Sequence, residues 1–455
     1  MNGADIFDRF SQNIPAATMV RGLIEHLFDP ASLNGIPAEV ELFTYTRSIE
    51  FAHLVGLMAD VVFRVHPSVR AAYRKSPARH AATLKSVYEK LSHVEPAVCR
   101  AFVRRVSDAC ERVMAEWGPG RPSPVPGLRC RRIDGNKLAA TQRRLDGLEY
   151  TYAPLPGQAL VLQDAATGLF VDLCPGEDAH QNERRLLGGM AGAWRPGDLV
   201  VADRNFCTEE FFRQVAAAGA FFVVRHHGSV GLHPVAPEQP AGRCPTGAVV
   251  EQPMRYAESD LEVRCVTVRL DEPTRDGDRV VRVLTNLEPA RAPARVVAET
   301  YRGRRGIETA FQGLEAALRS EIDTLAYPKA AVFGFGMGLA LCNLFQVVKA
   351  ALAATPSAPR PEDLSGVVLG HEVGSYLGTL LLLTLPPTCP QPGWPARQVA
   401  CWLQAVAAAA DWSAYRKTRR GPKKKKAFDR GYGRQGHTST ARVIAQRAKN
   451  KTRAP

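Results

Sequence analysis

The chain has 455 residues, 45% hydrophobic and 23% charged, a globular composition with room for two or three domains that excludes a disordered or fibrous chain. Its net charge of +14 is unevenly spread: residues 412–455 carry 15 Lys and Arg against the single acid Asp429, which leaves residues 1–411 neutral overall. The ten cysteines form no C-x-x-C pair and no zinc-finger spacing, so neither a disulfide framework nor a zinc module is expected, and a reducing cytosol is.

The N-terminus, MNGADIFDRF, has no basic or apolar leader pattern, and no export signal is expected. Residues 1–117 read as helical: apolar residues recur at spacings of three and four over 38–65, and shorter helical segments follow at 68–75, 81–91 and 96–116. With Arg74, Lys75, Arg79, Lys85 and Lys90 among them, this region fits a DNA-binding module and equally a plain helical bundle. The segment 118–127, GPGRPSPVPG, reads as a linker.

Beyond it, short apolar strands at 128–133, 159–163, 169–174, 198–202 and 220–225 alternate with helices at 182–191 and 208–218. Such alternation points to a mixed α/β sheet. Residues 228–292 carry strand patterns only and read as a β-rich insertion. Residues 329–410 return to helix. Within them, 330–348 lack any charge, and a membrane span needs about 20 such residues. Asn343, Gln346 and the glycines at 334, 336 and 338 favour a buried core helix there, so no membrane association is expected. The tail, 412–455, reads as a flexible basic arm for a polyanion; Lys423, Lys424, Lys425 and Lys426 form its densest run and suit phosphates without reading sequence.

Three carboxylates carry the chemistry. Asp134 closes the strand in R-C-R-R-I-D-G-N, and Asp203 closes the one in L-V-V-A-D-R-N-F. A lone strand-end Asp is most often a turn residue. However, ligands of α/β sheets bind at the carboxyl ends of strands, where rigid backbone holds such a side chain. In Y-R-G-R-R-G-I-E, helical spacing puts Tyr301, Arg304, Glu308 and, two turns on, Glu315 in one stripe. Two Asp on adjacent strands and a Glu from a helix across them could hold two divalent cations about 4 Å apart. Hard oxygen donors favour Mg²⁺ or Mn²⁺. His180 and Glu183 in E-D-A-H-Q-N-E-R are three apart and could share a helical turn, as ligands or as hydrogen-bonding supports behind the site. Arg204 and Lys137, beside the strand-end acids, could touch DNA backbone.

On these motifs the chain resembles the DDE transposases of bacterial insertion sequences, in the branch related to insertion sequence four. Asp134 in I-D-G-N-K-L, Asp203 in V-A-D-R-N-F and Glu308 in Y-R-G-R-R-G-I-E-T-A-F carry the likeness, with A-P-L-P-G-Q, E-D-A-H-Q-N-E-R and Y-P-K-A-A-V-F-G-F extending it over most of the chain. The resemblance implies a ribonuclease H-like α/β fold with a β-rich insertion, two Mg²⁺ or Mn²⁺ ions held by Asp134, Asp203 and Glu308, and strand cleavage and transfer at the ends of an insertion sequence. It further implies terminal inverted repeats and target DNA as partners, a homodimer on paired ends, and a bacterial, nucleoid-associated cytoplasmic protein. Tyr301 and Arg304 fit the family's phosphate-gripping positions. Glu315 stands where the family has a lysine, with Arg302, Arg305 and Arg319 as neighbouring cations. The expected layout is a helical DNA-binding region at 1–117, a linker at 118–127, the catalytic domain at 128–350, helices at 351–411 and the arm at 412–455. A nuclease that cleaves without joining, or a non-catalytic DNA-binding descendant, would share much of this pattern.

Overall fold

A computed structural model of the chain describes residues 3–40, 49–76, 82–138, 154–257, 259–274, 277–356, 358–418 and 438–451. Seven helices come first: α1 (Gly3–Asn13), α2 (Pro15–Leu27), α3 (Pro30–Val40), α4 (Phe51–Val62), α5 (Val69–Lys75), α6 (Leu84–Ser92) and α7 (Pro96–Ala115). Local chemistry starts several of them. The hydroxyls of Ser68 and Thr83 accept from backbone N–H groups in the first turns of α5 and α6, and Pro96 opens α7 at a position where no N–H is needed.

The strands follow: β1 (Arg129–Lys137), β2 (Pro154–Leu155), β3 (Gln158–Asp164) and β4 (Phe170–Gly176). After the short helix α8 (Glu183–Leu187) come β5 (Asp198–Ala202), α9 (Glu209–Ala217) and β6 (Phe221–Arg225). Five more strands complete the main sheet: β7 (Leu232–Pro234), β8 (Gln239–Cys244), β9 (Gly247–Tyr256), β10 (Glu262–Leu270) and β11 (Val280–Thr285). The order is β4-β3-β1-β5-β6-β11-β10-β9-β7, with β8 also on β9. β1 is antiparallel to β3 and parallel to β5, and β6 is parallel to β5.

The β-rich segment expected at 228–292 holds β7 to β11. It does not stand apart as a unit: β11 pairs antiparallel with β6 (Val283↔Arg225 to Thr285↔Val223), so all ten strands share one sheet. The free edge of β6 would otherwise present unpaired backbone groups, and β11 satisfies them.

Side chains alternate along the strands and divide the core. Ile133, Leu160, Leu162, Val200 and Ala202 face α8 and α9. Cys130, Leu199, Val201 and Val223 face α10 (Ala294–Arg302). Ala159 and Val161 join a third core with α7, α11 (Arg305–Ala317) and α12 (Pro328–Ala353). Of the 26 residues of α12, 21 are buried. The helix is long and apolar enough to cross a membrane, yet it lies inside the fold. An all-round apolar helix must be covered on every side. Here α2, α4, α6, α7, α14 (Ala396–Ala408) and β4 provide the cover, and α13 (Gly366–Leu380) packs on α2 and α11. At Gly336 a Cβ would stand 2.3 Å from the Cys99 sulfur, so glycine is what lets α7 approach this closely. The expected borders at 118–127 and 350 therefore separate stretches of sequence, not cores: one apolar core runs from Ile14 to Tyr415.

Two polar devices fasten the helices to the sheet. Arg100 and Arg104 of α7 each bind both oxygens of buried Asp172 on β4, at 2.6–2.8 Å. Asn343 of α12 accepts from the Phe170 N–H at 2.8 Å and donates to its C=O at 2.9 Å, completing the edge of β4 as a neighbouring strand would.

Two stretches of the basic tail are fastened to the body. Tyr415 is buried and donates to Glu372, and Lys417 N–H bonds the Asp363 carbonyl at 2.8 Å. Further on, β12 (Thr438–Ser439) pairs in parallel with β2, α15 (Thr440–Lys451) follows, and Arg442 binds Asp178 at 2.8 Å. A buried ring and a strand pairing anchor these two stretches. Lys423, Lys424, Lys425 and Lys426 lie outside the described residues.

Replacing Asp172 with Ala leaves two guanidinium groups without their shared partner. We expect the urea midpoint to fall by the equivalent of about 3 kcal/mol, with an unchanged denaturant slope. A loss below about 1 kcal/mol would mean that apolar contacts alone hold α7 to β4.

Candidate active site

The site is built from strand parity. Within β1, Ile133 faces α8 and α9, so Arg132 and Asp134 turn to the opposite face, where α10 and α11 lie. In β5, Leu199 and Val201 occupy that face, and Asp203 continues their parity just past the strand. The parallel register pairs Arg132 with Val201. Two residues further along each chain, Asp134 and Asp203 stand level on neighbouring strands.

The segment expected to be one continuous helix is two. α10 ends at Arg302 and α11 begins at Arg305, and the N–H groups of Arg304, Gly306 and Ile307 bond three residues back. Arg132 packs against this turn. Its guanidinium lies where a Cβ on Gly306 would be, 2.4 Å from Nη1, and also reaches Gly303. Two glycines and a tightened turn make room for it. Burial holds the Arg132 guanidinium below its ordinary value. Nothing in its local sequence distinguished this residue from the arginines around it.

Arg304 sits in the break and gathers the acids. Its Nη1 is 3.1 Å from Asp134 Oδ2, and its Nη2 pairs with Glu308 Oε1. Asp203 lies within electrostatic range of both Asp134 and Arg304. Burial pulls the Arg304 guanidinium down, the surrounding acids push it up more strongly, and the result is raised. Asp134 is pushed up to about 6, chiefly by burial; Arg304 opposes this, and the charges of Asp203 and Glu308 add to it. Tyr301 is half-buried in the core against the sheet, and burial raises its hydroxyl. Arg204, next to Asp203, and Lys137, three residues past Asp134 on β1, are both exposed.

Glu315 is exposed and points no side-chain bond toward this cluster; its carbonyl accepts from Arg64. Arg319 binds the Pro67 carbonyl, which directs it away from Arg304. His180 and Glu183 do not share a helical turn, because α8 begins only at Glu183. His180 lines a cavity of about 510 Å³ with Asp178, Gln181, Asn182, Arg185 and Arg442. Glu183 instead accepts from Asn205 Nδ2 at 2.6 Å. Among the described residues, no three His, Cys, Asp or Glu side chains stand close enough to hold one metal ion. The positive charge between Asp134 and Glu308 is the Arg304 guanidinium.

Between about pH 4 and pH 6 the unfolded chain ionises Asp134 while the folded chain keeps the proton, so rising pH costs stability there and the cost stays above pH 6. Asp134→Asn cannot ionise. Its thermal midpoint should exceed that of the unsubstituted chain at pH 7.5 by the equivalent of about 2 kcal/mol, and the gain should vanish near pH 4. A gain independent of pH would contradict the raised carboxyl.

Comparison with known proteins bears on this geometry. Residues 158–344 match a family model described as "Transposase DDE domain"; the span contains Asp203 and Glu308 and begins after Asp134. No curated protein matches the chain. One similar solved structure is that of a piggyBac transposase in a synaptic complex with hairpin DNA, at 10% identity and a TM-score of 0.41 over 88% of this chain and 86% of that one. Through residues 158–344, the chain is similar to the DDE domain of transposases.

Proposed function

We propose that this protein is a DDE transposase, cleaving DNA at the ends of a mobile element and joining those ends to a target. One observation carries the reading: Asp134 and Asp203 stand level on parallel strands, and Arg304 ties Glu308 to Asp134 across the same face. The match over residues 158–344 supports it. The strand order β4-β3-β1-β5-β6, with β3 alone running against the other four, fits a ribonuclease H-like sheet. The finer reading, a bacterial protein of the branch related to insertion sequence four that works as a dimer on paired inverted repeats, rests on the sequence motifs.

The donor set suits Mg²⁺ or Mn²⁺, being three carboxylates of which two already share one positive charge. Asp134, Asp203 and Glu308 would hold the ions, whose chemistry is to activate a water or 3′-hydroxyl and to stabilise the leaving oxygen. Arg304 has two possible employers. Without DNA it neutralises Asp134 and Glu308; its planar fork is equally suited to a phosphate. Arg304 thus competes with the ions for both carboxylates, and a DNA end that draws it to a phosphate would relieve that competition. Tyr301 braces the arginine from the core side. Arg204 and Lys137 flank the aspartates and would seat the backbone on either side of the scissile bond. The remaining cations of the tail add affinity without reading sequence.

Asp203→Asn should abolish cleavage of DNA carrying the element's ends while leaving binding intact. Cleavage at the unsubstituted rate would sink the proposal, and cleaved but never joined product would favour the nuclease. Removing residues 419–455 should weaken DNA binding equally across sequences and reduce the steepness of its salt dependence. Unchanged binding at low salt would remove the tail from the DNA interface.

A further inference from the structure

We infer that Glu183 is a positioning residue that fixes the separation of Asp134 and Asp203 from behind the sheet; the inference rests on the reading that these two carboxylates serve one site. Glu183 is the first residue of α8, whose start is capped by Asn182. It reaches the strand ends from the α8 and α9 side, opposite to Arg304 and Glu308.

Its carboxylate touches both aspartate-bearing segments. Toward β1 it presses on Gly135, the neighbour of Asp134: a Cβ there would stand 2.6 Å from Glu183 Cδ and Oε1. A side chain at 135 would force the Glu183 carboxylate to move from this position. Toward β5, Glu183 Oε2 accepts from Asn205 Nδ2 at 2.6 Å, and the Asn205 N–H donates to Asp203 Oδ1. The next residue of α8 closes the grip, with Arg184 Nε donating to the Asn205 carbonyl at 2.8 Å. A chain of contacts therefore runs from Gly135 through Glu183 and Asn205 to Asp203. Among the described residues Glu183 forms no ion pair, so its function at this spot is the bond to Asn205 and the space it fills.

The acid at 183 thus acts through Asn205 and Gly135 and need not touch substrate. Outer-shell residues of this kind typically change metal affinity or activity by about 10- to 100-fold when removed. Geometry rather than charge is the operative property. An amide can accept from Asn205 as a carboxylate does, so Glu183→Gln should behave like the unsubstituted chain.

The test is Mn²⁺ binding to the full, DNA-free chain, followed by electron paramagnetic resonance. Glu183→Ala and Asn205→Ala should each weaken binding about 10- to 100-fold at an unchanged thermal midpoint, and the double variant should be no weaker than either single one. Glu183→Gln should stay within about threefold of the unsubstituted chain. Gly135→Ala, which displaces the acid without removing it, should reproduce the Glu183→Ala loss and serves if that variant does not fold. Binding within about twofold in both Glu183→Ala and Gly135→Ala, with Asp203→Asn weakened, would overturn the positioning role alone. Unchanged binding in Asp203→Asn as well would overturn the shared site on which it rests.

Discussion

The parallel pairing of β1 with β5 is the constraint on which the site depends. Side chains in a strand alternate with a period of two, so a slip of one residue would carry Asp134 to the α8 side and leave Asp203 alone on the other. The apolar residues prevent the slip. Cys130, Leu199 and Val201 are committed to one core, and Ile133, Val200 and Ala202 to the other. The level position of the two aspartates is thus a by-product of burying their neighbours. Arg304, Glu308 and Glu183 then approach that pair from opposite faces.

The helical shell answers a different demand. α12 is apolar all round and cannot be half-covered, so the two ends of the chain close over it together. Ala17 N–H of α2 and the Tyr415 hydroxyl bind the two oxygens of the same carboxylate, Glu372 of α13, which knits residues nearly 400 apart in sequence. The helices that flank the sheet are in this way built into the body that carries the site.

Much of this was legible before any coordinates. D-L-V-V-A-D announces a buried strand ending in an acid, and Arg304 and Glu308 are four apart, as an ion pair along a helix requires. What was not legible depends on distant neighbours. At the break at 303–304 lies Arg132, some 170 positions earlier, whose guanidinium packs against Gly306. The junction of β11 with β6 needs a partner edge that no local pattern reveals. His180 and Glu183 have helical spacing, but the helix starts between them, and Asn205, which gives Glu183 its meaning, lies on another element. The tail's charge masked its anchors, Tyr415 and the Thr438–Ser439 strand.

The amide of Asn343 has one more consequence. A sheet of ten strands has two ends at which further chains can add, and natural proteins must close or blunt both. At the β4 end, a helix side chain imitates one peptide of the missing eleventh strand, bonding Phe170 in both directions. At Phe170 the backbone is satisfied in this way, without a repelling charge. On the proposed function, in which copies of the chain gather on DNA, crowding on a shared polyanion would bring no invitation to fibre formation where α12 already holds the β4 edge.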